Sequence, residues 1–206
     1  MPLRTNILLV HEIPLWRVAL RALLTAGTDL HVETAGPGEV GRAAGTCLPD
    51  VYVLDLDCPG SLGLLTEIEA LRSGRAAEDA GSLVILTKGE RPGDLRRAFH
   101  AGAGGYVDKY GETGDLAAVV RKVAAGGRHL DETLAFGLLR VAESPLSDRE
   151  LSVLGLAAEG ESVAGIAGGL HLAAGTVRNY LAAAIRKTGA RNRLDAIRLA
   201  KEAGWL

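Results

Sequence analysis

VYVLDLDCPG, residues 51–60, decides the fold. Val51 to Leu54 form an apolar run with no polar alternation, the pattern of a strand buried on both faces of a parallel sheet. An acid, Asp55, closes the run, and Pro59-Gly60 follows as a turn signal. In open parallel sheets the carboxyl ends of the strands line one edge, where ligands and chemistry collect.

Outward from this stretch, the first ~125 residues repeat the same alternation. NILLV (6–10) reads as a strand that stops at His11-Glu12, and PLWRVALRALLTAG (14–27) as a helix. That helix is expected to turn Leu15, Val18, Leu20, Leu23 and Leu24 to one face and to stop at Gly27. LHVETA, SLVILT and GYVDK supply further strands; GEVGRAAGTCL, LGLLTEIEALRSG, GDLRRAFHAG and TGDLAAVVRKVAAGG supply helices. Five βα units predict a doubly wound α/β domain over residues 1–127. Residues 131–142 suit one more helix, so 128–145 reads as a linker helix and linker ending at Pro145. From 146 to 206 only helical patterns appear, beginning with a capping box at Ser147 and Glu150. The second domain is therefore small and all-α.

Composition sets bounds on function. The chain has 206 residues, 48% of them apolar, enough for two cored domains. Its net charge of −2 hides an asymmetry: residues 1–143 carry 15 Lys and Arg against 19 Asp and Glu, residues 144–206 carry 8 against 6. The two cysteines, Cys47 and Cys58, form no C-x-x-C motif. No apolar run approaches the ~20 residues of a membrane span, and no basic-then-apolar leader opens the chain, so a cytoplasmic protein is expected. HEIPL carries Leu15 where a zinc-protease motif needs its second His. The first strand-to-helix turn lacks glycine, which argues against dinucleotide binding, and no phosphate-cradling P-loop occurs.

The residues at the strand ends are His11, Glu12, Asp55, Thr87 and Lys109. An aspartate near a lysine, a hydroxyl and a second acid suits a cation and a phosphoryl group: carboxylates hold Mg²⁺, lysine meets phosphate as a point charge, and aspartate accepts a phosphoryl group. With VLDLDCPG, VILT and AGAGGYVDK, the first domain resembles the receiver domain of two-component response regulators. The resemblance implies Asp55 as phosphoacceptor, Asp57 offering its backbone carbonyl to Mg²⁺, Thr87 and Tyr106 as the switch pair, and Lys109 as the phosphoryl contact. It implies a metal site of Glu12, Asp55 and Asp57.

The departure lies at His11-Glu12, where receivers usually carry two acids. Imidazole cannot replace a carboxylate at a hard cation, and Glu12 is one methylene longer than Asp. Weak Mg²⁺ binding, and reduced phosphorylation with it, is the expectation.

In the second domain, seven basic residues stand against one acid, Asp195, between Arg178 and Lys201. Val177, Leu181 and Ile185 share one helix face, so Arg178, Asn179, Arg186 and Lys187 point elsewhere, as on a helix laid in the major groove. With LSDRE, VLGLAAEG, TVRNYL, I.KTGARNR and DAIRLA in register, residues 146–199 resemble the tetrahelical helix-turn-helix of the NarL/FixJ (LuxR-type) family. The resemblance implies a recognition helix over Ala174–Lys187. Thr176 and Lys187 would grip phosphates, Arg178 and Asn179 would face bases, Arg186 and Arg191 would add backbone contacts, and Arg198 and Ala200 would lie in a dimer contact. Ala173 replaces a commoner N-cap serine, and Gly165 and Gly169 replace longer side chains.

The expected protein is a transcription regulator and not an enzyme: a homodimer on pseudo-palindromic double-stranded DNA, with no membrane partner. Its switch is either a histidine kinase acting on Asp55, as in a conventional two-component regulator, or an atypical receiver that is permanently active or controlled by a small-molecule ligand or partner protein at the altered pocket. A protein-interaction module without DNA binding is the remaining alternative.

Overall fold

The computed structural model describes residues 5–26, 29–76, 79–89, 92–111, 115–135, 144–203 and 205–206. By contacts the chain divides into two units, Met1–Lys88 with His100–Leu134, and Gly89–Phe99 with Ala135–Leu206.

The first unit is a parallel sheet of β1 (Asn6–Val10), β2 (His31–Ala35), β3 (Val51–Asp55), β4 (Ser82–Thr87), β5 (Gly105–Asp108) and β6 (His129–Leu130), in the order β2-β1-β3-β4-β5-β6. Every residue of β3 is buried, as its unbroken apolar run requires. Val51 and Val53 pack on one face with Ile7, Leu9 and Val84, beneath Val120 and Val123 of α5 (Leu116–Ala124). Tyr52 and Leu54, pointing the other way, are equally buried. At ~1.5–3 kcal/mol per fully buried large apolar side chain, this double-faced core outweighs the weak propensities of a Gly- and Ala-rich chain. The other helices of the α/β region are α1 (Pro14–Thr25), α2 (Val40–Cys47), α3 (Ser61–Ser73) and α4 (Pro92–His100).

Two differences from the sequence expectation have physical causes. In α1 the buried leucine is Leu24, with Leu20 packed against the core, while Leu15, Val18 and Leu23 are exposed. Positions 20 and 24 lie one turn apart; 15, 18 and 23 fan across other faces at 100° per residue. The stop at Gly27 lies outside the described residues. β6 was not foreseen: its two residues have no strand pattern, and it exists because His129 N–H donates to Gly104 O and Asp131 N–H to Tyr106 O at the free edge of β5. Of the expected helix over 131–142, residues 132–135 are helical, and 136–143 lie outside the described residues.

The second unit holds α6 (Asp148–Ala158), α7 (Val163–Gly169), α8 (Ala174–Thr188) and α9 (Arg193–Glu202) around Leu151, Leu154, Ile166, Val177, Leu181 and Ala196. α6 opens with the capping box: Glu150 N–H donates to Ser147 Oγ (3.4 Å) and Ser147 N–H to Glu150 Oε2 (2.7 Å). Ser162 caps α7 and Asn192 caps α9, whereas Ala173 gives α8 no side-chain cap. His171, at φ 53°, turns the chain between α7 and α8. α4, expected with the first domain, groups by its contacts with this unit: Arg96 reaches Asp148 (3.0 Å) and Leu146 O (3.0 Å). Among the described residues no helix is long and apolar enough to cross a membrane.

Candidate functional site

Parallel register brings the ends of β1, β3, β4 and β5 to one edge, and Asp55 sits at its centre, 6% exposed. Its carboxylate is saturated with donors. Lys109 Nζ bonds both oxygens, at 2.7 and 2.8 Å, and Asp57 N–H donates to Oδ1 at 2.9 Å. His11 Nε2 lies 3.3 Å from Oδ2. Ile13 N–H donates to His11 Nδ1 (3.0 Å), so the proton of the neutral imidazole belongs on Nε2, aimed at Asp55. Burial acts to lower the Lys109 pKa, but the bonds and charges of Asp55 and Asp57 outweigh it and hold the ammonium above the usual lysine range.

Asp57 does more than offer a carbonyl. Its side chain accepts from Thr87 Oγ1 (2.9 Å) and Lys88 N–H (2.8 Å) and pairs with Lys109 (3.1 Å). The structure thus brings Asp55, Asp57, Thr87, Lys109 and His11 together. Tyr106 is buried, its hydroxyl has no hydrogen-bond partner among the described residues, and burial pushes its pKa up. In the β4–β5 register Tyr106 lies opposite Ile85 and Thr87 opposite Asp108, and the Thr87 hydroxyl donates to Asp57.

Glu12 is exposed, and its backbone carbonyl, like that of His11, accepts from Arg17 Nη1. The side chain that joins His11 and Asp55 is Cys58: the three offer ligand atoms all within 4.8 Å of one another, with Cys58 Sγ 3.4 Å from His11 Nε2. Burial pushes the Cys58 thiol up, and the Asp55 charge adds to the effect. Sequence reading missed Cys58 because it sought paired cysteines; the signal was its place three residues beyond Asp55, in the turn that folds back over the strand end. The receiver fold implies Mg²⁺ here, an ion that demands near-octahedral oxygen ligands. An imidazole, a thiol and an ammonium surround Asp55 instead, so these residues do not fit that ion.

In the second unit, Arg178, Asn179, Arg186 and Lys187 are all exposed along α8, and Thr176 is half-buried near its start. Arg178, Asn179 and Arg186 have no side-chain partner among the described residues. Lys187 does: its Nζ pairs with Glu150 Oε2 at 2.7 Å. Glu150 is itself buried; burial raises its pKa, but the Lys187 and Ser147 bonds prevail and hold it below the ordinary carboxylate range. Arg191 and Arg198 both pair with Asp195, whose carboxyl the Arg191 backbone N–H and the two guanidinium groups hold well below the usual range. Ala200 is fully buried in the core of this unit, so it presents no surface to a second copy; Leu194, on the same helix, is 77% exposed.

A receiver-like α/β unit followed by a helix-turn-helix unit defines the response-regulator class. The luxR family of bacterial regulatory proteins matches residues 144–200. The chain is 47% identical over 202 residues to the response regulator RamR of Streptomyces coelicolor, covering 97% of each chain. It is 36% identical over 192 residues to the transcriptional regulatory protein DesR of Bacillus subtilis, covering 91% of this chain and 92% of that one. Among solved structures, response regulator ChrA of a heme-sensing two-component system aligns over 98% of this chain and 99% of its own, with a TM-score of 0.55 and 28% identity. The chain belongs to the NarL/FixJ (LuxR-type) family of response regulators.

Proposed function

We propose that the chain regulates transcription in the cytoplasm by binding double-stranded DNA as a homodimer on a pseudo-palindromic site, through α8. The observation that carries this reading is the exposed Arg178, Asn179 and Arg186 on one helix, none paired with another side chain among the described residues. Arginine reads guanine and asparagine reads adenine, each through two hydrogen bonds, while Arg186, Arg191 and Thr176 suit phosphates, which position the helix. Lys187 serves chiefly as the tie to Glu150 and contributes its remaining donors to the backbone. A gel shift at low salt with an inverted repeat selected from random DNA tests the reading. A single discrete complex of dimer mass is expected; no complex, or one that Arg178→Ala leaves untouched, overturns it.

For the switch, the reading is an atypical receiver: Mg²⁺ binds weakly and phosphorylation of Asp55 is correspondingly slow, with control resting on a ligand or partner at the altered pocket. The crowding of Asp55 by His11, Cys58 and Lys109 supports it. The conventional reading, phosphorylation by a histidine kinase, draws support from the Lys109–Asp55 contact, a lysine held where a phosphoryl group would need one. Incubation with Mg²⁺ and acetyl phosphate, followed by intact mass, separates the two. Little adduct is expected; rapid, full conversion that Asp55→Asn abolishes favours the conventional switch.

A further inference from the structure

We propose that His11, Asp55 and Cys58 form a binding site for a thiophilic divalent ion, Zn²⁺ or Co²⁺, in the pocket at the end of β3. All three side chains are more than nine-tenths buried, at 3%, 6% and 8% exposure. They supply one nitrogen, one oxygen and one sulfur, the mixed set that a borderline ion prefers and that Mg²⁺ does not.

The geometry is close to what such an ion requires. Metal bonds of about 2.0–2.1 Å to imidazole, 2.0–2.2 Å to carboxylate and 2.3 Å to thiolate give tetrahedral edges of about 3.4 Å between nitrogen and oxygen and about 3.6 Å between nitrogen and sulfur. Here His11 Nε2 lies 3.3 Å from Asp55 Oδ2 and 3.4 Å from Cys58 Sγ. Two of the ligands stand at strand ends, His11 just beyond β1 and Asp55 at the last residue of β3. Three protein ligands leave the fourth position open to water or an exogenous donor.

Charge and proton balance favour the site. Asp55 and Asp57 outnumber the nearby Lys109 by one charge. An entering ion displaces the Cys58 proton to solvent, forming the metal–thiolate bond, and the neutral pocket of ion, thiolate, two carboxylates and ammonium results. The proton on His11 Nε2 moves to Nδ1, at the cost of the Ile13 N–H bond. Lys109 keeps Asp57 as its partner when Asp55 turns to the ion.

This deepens the altered-pocket reading, and its failure is distinguishable from that reading's, because phosphoryl transfer is scored separately by mass. The test titrates Co²⁺ into the full chain carrying Cys47→Ser, which leaves Cys58 the sole thiol. One equivalent of Co²⁺ should produce a thiolate charge-transfer band and intense tetrahedral visible bands, both bleached by one equivalent of Zn²⁺. Trp16 supplies a second readout, since its ring centroid is 6.4 Å from that of His11 and paramagnetic Co²⁺ at the site quenches it. Adding Cys58→Ser should abolish the charge-transfer band, and His11→Asp should weaken Co²⁺ binding at least ~10-fold while strengthening Mg²⁺ binding. Circular dichroism confirms that each variant is folded. No charge-transfer band in the Cys47→Ser chain, or a band that survives His11→Ala and Asp55→Asn together, overturns the proposal and leaves a hydrogen-bonded cluster.

Discussion

Removing the Glu150 carboxylate by Glu150→Ala disconnects two elements of the helix-turn-helix unit at once. The Ser147 N–H loses its acceptor and half of the capping box, about 1 kcal/mol. Lys187 loses a charge-assisted bond; such bonds contribute ~1.5–3 kcal/mol, and the 39% exposure of Lys187 puts this one at or below the lower end. A loss of ~2 kcal/mol follows, and at ~4–8 °C per kcal/mol for a unit of this size the melting temperature should fall by ~8–16 °C. The pH dependence has a definite sign. Glu150 is depressed in the folded unit, so its contribution is present above the unfolded carboxylate value of ~4.3 and is lost as pH falls through its lower folded value. The deficit of the variant should therefore be full at pH 7 and shrink below about pH 4. The chain has two tryptophans, and Trp205 packs against the core of this unit, so fluorescence-detected melting in a Trp16→Phe background isolates the transition. A drop below ~2 °C, or a deficit as large at pH 3 as at pH 7, refutes the reasoning.

Other outcomes are equally specific. Ala173→Ser should stabilise the same unit by about 1 kcal/mol, because Ala173 already has the extended backbone of an N-cap and lacks only the oxygen; an unchanged melting temperature counts against it. Lys109→Met should destabilise the α/β unit by ~2–3 kcal/mol at pH 7, since Asp55 and Asp57 lose their shared cation, and urea melts should show the deficit shrinking as pH falls toward the carboxylate range. In the unsubstituted chain the raised Lys109 pKa means that its stabilisation is complete below the ordinary lysine value and is lost as pH rises through the folded one. Arg178→Ala should cost ~1–3 kcal/mol of DNA affinity and relax preference at one base pair. Arg186→Ala should weaken all sequences alike and reduce the salt slope by about 1 per protomer, as fluorescence anisotropy against salt would register.

Both units were legible in the sequence because their signals are periodic and local. The apolar runs of β1, β3 and β4 and the Ser147-Glu150 spacing each specify structure within a few residues. Asp55, Thr87 and Lys109 were legible for a related reason: each ends a strand, and parallel register carries strand ends to one edge. What was illegible depends on partners far apart in the chain. β6 exists through an edge offered by β5, the Lys187–Glu150 tie spans 37 residues, and Cys58 meets His11 across 47. Ala200 was placed in a dimer contact by the family resemblance alone; an alanine near the end of a charged helix carries no mark of burial, and here it lies in the core of the unit.

The tie at Lys187 has a mechanical consequence. At ~1.5 Å per residue, Arg178, the residue proposed to face bases, stands ~13–14 Å along α8 from the point where Lys187 is fastened to α6. The helix is a lever with its fulcrum at the C-terminal end, and a tilt of only ~5° would swing Arg178 by ~1 Å, enough to spoil a two-bond contact with a base edge. One surface lysine, tied to a buried glutamate, thus sets the angular tolerance of the far end of the helix.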